Sequence, residues 1–79
     1  MNEIDKQKER EEAERRERSR TRAEINEIIR QLNAVSRELD QLAEGVASEF
    51  RGIGSQMCAS SLKSNADKYR QVAGQLSRI

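Results

Sequence analysis

The chain has 79 residues, 37% of them charged and 34% hydrophobic, with one Tyr, one Phe, no Trp, no Pro and a net charge of +1. That composition allows one small domain at most, too poor in large apolar side chains for a sizeable core, and its charge balance points neither toward nor away from nucleic acid. One cysteine and no histidine exclude an intrachain disulfide and a Cys/His zinc site, and the longest run of large apolar residues is Ile28-Ile29, so neither a transmembrane helix nor a cleavable signal peptide is predicted.

Residues 1–24 read as a charged helical arm. Between residues 5 and 24 there are fifteen charged residues, no helix breaker and no apolar side chain larger than alanine. Glu11–Arg15, Glu12–Arg16 and Glu14–Arg18 fall at i, i+4 in the favourable order, each contributing about 0.2–0.5 kcal/mol to a helix. A solvated helix that frays towards Met1 is expected. Its charge is blocked: six acids and three bases over residues 2–14, then five arginines (Arg15, Arg16, Arg18, Arg20, Arg22) and one glutamate over residues 15–22.

From Ile25 the pattern changes. Ile25, Leu32, Leu39, Val46 and Ile53 recur every seven residues. Ile28, Val35 and Leu42 stand three further on, and Ile29, Ala43 and Phe50 beside those. This is the a/d/e stripe of a helix packed along its length, and nothing alternates with the period of a strand.

The stretch Phe50-Arg51-Gly52-Ile53-Gly54-Ser55 interrupts the pattern with two of the four glycines. Either Gly52 or Gly54 can adopt the left-handed conformation that ends a helix, and Ser55 can cap the next one, although position 58 is Cys and leaves the capping box incomplete. The alternative, one unbroken helix, would carry both glycines at a cost of about 2 kcal/mol relative to alanine.

Beyond the turn, Cys58, Leu62, Asn65, Tyr69, Val72, Leu76 and Ile79 are spaced 4-3-4-3-4-3, flanked by Ala59, Ala66 and Ala73. Small residues at those positions would let a neighbouring helix come close. Asn65 inside an apolar stripe reads as a device that fixes register or partner number at a cost in stability.

Residues 25–50 and 55–79 would span about 39 Å and about 37 Å as helices, so folding back brings Ile79 near Ile25. Residues 24–49 carry six acids and two arginines, whereas residues 51–79 carry five bases and one acid. The predicted fold is therefore all-α: an antiparallel two-helix hairpin over residues 25–79, turning at about 50–55, with helices near 5–49 and 55–79. The arm projects about 30 Å past its base. The helix-packing positions are Ile25, Ile28, Ile29, Leu32, Val35, Leu39, Leu42, Val46, Leu62, Asn65, Tyr69, Val72, Leu76 and Ile79.

No enzymatic chemistry is expected. There is no histidine to activate Cys58, which reads as a small apolar stripe residue, and the carboxylates fall on outward helix faces. No catalytic residue, cofactor or metal ligand is assigned. The block from Arg15 to Arg22 leading into a heptad stripe has the layout of a basic-zipper factor, but the Asn-Ala-Ala pattern is missing and Glu11, Glu12, Glu14 and Glu17 would repel phosphate. The five arginines are instead assigned to electrostatic docking on a protein surface. The partner is a helical protein or another copy of the chain, not nucleic acid and not a membrane interior.

A helical hairpin with an aromatic-x-Gly at its tip resembles the WXG100-like proteins and the small helical partners of LXG-type substrates in type VII secretion. Phe50-Arg51-Gly52 stands where that family has Trp-x-Gly. The family's export signal, a Tyr followed four residues later by an acid, would fall on Tyr69, but position 73 is Ala. The resemblance implies a partner or targeting subunit that pairs with a helical protein, cytoplasmic and exportable with that partner. The alternative is a structural coiled-coil subunit of a larger assembly, such as a tether, scaffold or phage component.

Overall fold

The computed structural model describes residues 3–79; Met1 and Asn2, and the fraying expected towards Met1, lie outside them. Two helices form, α1 (Glu3–Glu49) and α2 (Ile53–Leu76), packed antiparallel as a hairpin with no strand among the described residues. The arm is the first half of α1 rather than a separate element. Nothing in residues 3–24 breaks the helix, Glu3 and Asp5 suit its N-terminal dipole, and Glu12–Arg16 closes to 3.7 Å. The result is a rod 73 Å long and only 15 × 13 Å across.

The turn is shorter than the glycine pair suggested. The Phe50 amide still donates to the Val46 carbonyl at 3.2 Å, and two residues later Gly52 adopts φ 127°, ψ 169°. Gly52 alone supplies the positive φ; Gly54 lies inside α2. The expectation that Ser55 caps α2 is corrected. Gly52 is the N-cap residue, no side chain caps there, and Ser55 sits half-buried inside the first turn. With no partner acid or amide at position 58, a capping box had nothing to close it. At the other end, Ser77 ends α2 with its amide on the Ala73 carbonyl and its hydroxyl on the Gly74 carbonyl, 2.7 Å.

Packing between the helices runs along a narrow seam of small side chains. Ala43, Ala66 and Ser36 are wholly buried, joined by Ala59 and Ala73. Half-buried residues at the matching spacing border them: Ile25, Ile29, Leu32, Leu39 and Val46 on α1, and Leu62 and Leu76 on α2. The Ser36 hydroxyl is satisfied within its own helix, donating to the Leu32 carbonyl at 2.7 Å, so it adds no polar demand across the seam. The ion pair from Arg70 to Asp40 ties the helices in register. The three-residue turn and the groove that Ile79 shares with Ile25 fix that register: Arg70 reaches along the axis to Asp40, and Ala59, Ala66 and Ala73 lie within about two residues of the levels of Ala43, Ser36 and Ile29.

The chain exposes 6596 Å², where a globular protein of this mass would expose about 4,900 Å² and its unfolded chain about 13,000 Å². It therefore hides about half of its unfolded surface, below the ~60% usual for so small a domain.

Candidate docking face

The two sides of the seam differ. One step beyond it on the first side come Asn26, Asn33 and Asp40 of α1 and Gln56, Lys63 and Arg70 of α2, all polar. This side is closed by the bridge that Arg70 makes to Asp40 across the helices, and to Asp67 at 3.1 Å along its own helix. The hydrogen bond to Asp40 holds the Arg70 guanidinium above its ordinary pKa. The group is solvated, so the pair sets register more than stability. Glu27 lies on the outer face, its carboxyl held below the usual range chiefly by the hydrogen bond from Arg30.

On the second side Ile28, Val35 and Leu42 of α1 stand at seven-residue spacing, 43%, 41% and 55% exposed. From α2, Val72 and Ile79 join them at the same phase as Asn65 and Cys58, and Tyr69 closes over the seam from the same helix. A shallow groove runs between Ile28, Gln31, Leu32, Val35 and Tyr69. At the base, Ile79 and Ile25 share a second groove with Arg18, Thr21 and Arg22 of the arm. So the hairpin carries an apolar stripe on one flank only, concentrated in its basal half.

The packing positions expected from sequence thus separate into two sets. Ile25, Ile29, Leu32, Leu39, Val46, Leu62 and Leu76 border the seam. Ile28, Val35, Leu42, Asn65, Tyr69, Val72 and Ile79 are exposed on the flank or at its end, as is Cys58. The physical reason is geometric: two helices hide one stripe each, and the seam between them goes to the side chains that permit closest approach. Arg15, Arg16, Arg18, Arg20 and Arg22 are all exposed on the arm. The tip presents Phe50, Ile53 and Met57 with Arg51, all exposed. The sequence reading missed Ser36 as a seam residue and the Asp40–Arg70 bridge; the seven-residue spacing from Ile29 through Ser36 to Ala43 was the available signal for the first.

Asn65 is solvent-facing here, not an orphan inside a core. Replacing it with Leu is therefore expected to change the stability of the hairpin by no more than about 0.5 kcal/mol while tightening any association made through this flank. Thermal melts along a dilution series check it: a midpoint that falls for Asn65→Leu at every concentration would mean that the amide makes a bond the hairpin needs.

Among the described residues no three His, Cys, Asp or Glu side chains cluster to hold a metal ion, and no helix is long and apolar enough to cross a membrane. Compared with family models, with curated proteins and with solved structures, the chain matches none of them.

Proposed function

We propose that the chain is a non-enzymatic interaction module, a small partner or targeting subunit that binds a helical protein as in type VII-like secretion. The observation that carries this reading is the one-sided apolar flank of Ile28, Val35, Leu42, Tyr69 and Val72, a surface of the width and spacing that a helix packs against. The Phe50-Arg51-Gly52 turn supports the secretion assignment by its likeness to the aromatic-x-Gly tip. The two displaced pKa values, of Glu27 and Arg70, arise from ion pairs on the helix surfaces rather than from a pocket, which favours binding over catalysis. On this reading the chain works in the cytoplasm and leaves it only with its partner. The unbroken α1, reaching about 30 Å past the base, favours a second reading as a spacer in a larger assembly.

The test is titration of the purified chain with the helical N-terminal segment of a secretion substrate encoded beside it. Complex formation lost in Val35→Glu is expected, and failure to bind any such segment overturns the reading. Deleting residues 2–22 separates the roles of the arm. As an electrostatic docking surface, its loss leaves the melting transition of the complex within a few degrees and slows association several-fold at low salt, a difference that fades as the Debye length shrinks from ~10 Å. As a spacer that packs through Ala13, Ala23 and arginine stems, its loss destabilises the complex at every salt concentration.

A further inference from the structure

The apolar flank is bordered by charge of opposite sign on the two helices. On the outer edge of the α1 stripe stand Glu24 and Glu38, three or four residues from Ile28, Val35 and Leu42 and so on the same face. On the outer edge of the α2 stripe stands Lys68, at the same spacing from Asn65 and Val72. All three are exposed. The flank is thus self-complementary when turned on itself so that α1 lies over the α2 of another molecule. In that arrangement acidic α1 covers basic α2 twice. The opposite arrangement sets six acids against six and five bases against five.

We infer that this flank is the interface of a homodimer, two hairpins forming a four-helix bundle about a two-fold axis parallel to the helices. The inference rests on reading the flank as a docking surface and names its occupant. In the register set by the turn and by Ile79 against Ile25, Lys68 lies about two to four residues, roughly 3–6 Å, along the axis from Glu38 of the other copy, within reach of two long side chains. The hairpin face that carries the flank, its apolar residues and polar ends together, is about 36 Å long and two helices, about 18 Å, wide. It therefore offers on the order of 650 Å² per copy, on the order of 1,300 Å² in all, within the range of stable interfaces. The bundle would also cover part of the surface by which the chain exceeds a globular protein of its mass, and its isologous symmetry is the commonest one for a soluble oligomer.

The experiment is equilibrium sedimentation of the full chain across the micromolar range, with circular dichroism melts on the same samples. A dimer whose midpoint rises with concentration is expected. Val35→Glu and Val72→Glu, both on the open flank, each weaken it at least 100-fold, with lost helicity regained at higher concentration. Glu38→Lys and Lys68→Glu each weaken it several-fold, and the double exchange restores it. A monomer that melts at a concentration-independent temperature overturns the inference, as does an oligomer indifferent to both valine variants. A dimer in which the double exchange fails to restore affinity overturns the placing of α1 over α2. Failure here is distinct from failure of the proposed function: a monomer that still binds a helical segment through Val35 overturns only the dimer, and a dimer that binds no segment overturns only the secretion role.

Discussion

Ala66→Leu is expected to cost the hairpin about 1–3 kcal/mol, the usual cost of forcing extra methylenes into a closed seam. Ala66 is wholly buried, and the register set by the short turn places the equally buried Ser36 at nearly its own level. Three added carbons have nowhere to go unless the helices separate. Separation would strip contact from Leu39, Leu62 and Val46 along with the alanines. At about 0.05–0.15 kcal/mol per residue a chain of this length has roughly 4–12 kcal/mol in total, and one that hides only half its surface belongs at the lower end. A single methyl-to-isobutyl change therefore removes a large part of what holds it folded. Ala43→Leu should do the same. The double variant should lose about the sum, because the two sites lie about 8–10 Å apart along the seam and fall in different layers. Ser36→Ala is the control: it is just as buried, but its hydroxyl bonds only the Leu32 carbonyl of its own turn, so the change should be near neutral. Melts at one fixed protein concentration measure all four, since association would otherwise move the midpoints. An Ala66→Leu chain more stable than the native one would show that the helices stand apart at that layer.

The seam also shows how far the sequence can be read. Two helices, their antiparallel pairing and a turn within residues 50–55 follow from heptad spacing, matched lengths, opposed charge and the glycine pair, and the structure has all of them, with Gly52 rather than Gly54 as the turning residue. The phase of the contact was harder. Apolar weight is greatest at Ile25, Leu32, Leu39 and Val46 and at Ile28, Val35 and Leu42, and both rows look like core. Two helices alone cannot hide both rows. The seam took the row that shares its other border with Ser36 and Ala43, because side chains that small let the backbones approach and gain contact along their whole length. Ala59, Ala66 and Ala73 pointed that way on α2. On α1 the equivalent signal was diluted by a serine, whose polarity conceals that it can bond back to its own helix. Asn65 shows the same effect in reverse: it stands among apolar residues in sequence and in solvent in the hairpin. Ser55 was misplaced for a local reason, since a hydroxyl suited to capping does not cap when a glycine three residues earlier can turn the chain first.

That glycine carries the second large effect. Gly52→Ala is expected to cost about 1–3 kcal/mol, the cost of holding a side chain in a backbone region essentially open to glycine alone. Its φ of 127° and ψ of 169° lie in that region, and a Cβ built there meets nothing within 4 Å, so the cost is backbone strain without a steric clash against neighbours. Gly54→Ala, in the same open surroundings but inside α2, should stabilise by about 0.5 kcal/mol by restricting the unfolded chain. The two substitutions are chemically identical and two residues apart, so opposite signs isolate the conformation of the turn. Alanine at position 52 also favours helix by about 1 kcal/mol over glycine, which biases the chain toward running α1 straight into α2. An unbroken helix would expose the whole seam, and that seam is already complementary to itself in the antiparallel sense. Gly52→Ala is therefore expected to shift the chain toward an extended, exchanged dimer, seen as a larger frictional ratio at unchanged helicity, and Gly52→Ala with Gly54→Ala should shift it further. If Gly52→Ala melts like the native chain and sediments with the same shape, the turn has another conformation within reach, and the positive φ at Gly52 is a convenience rather than the hinge on which the hairpin depends.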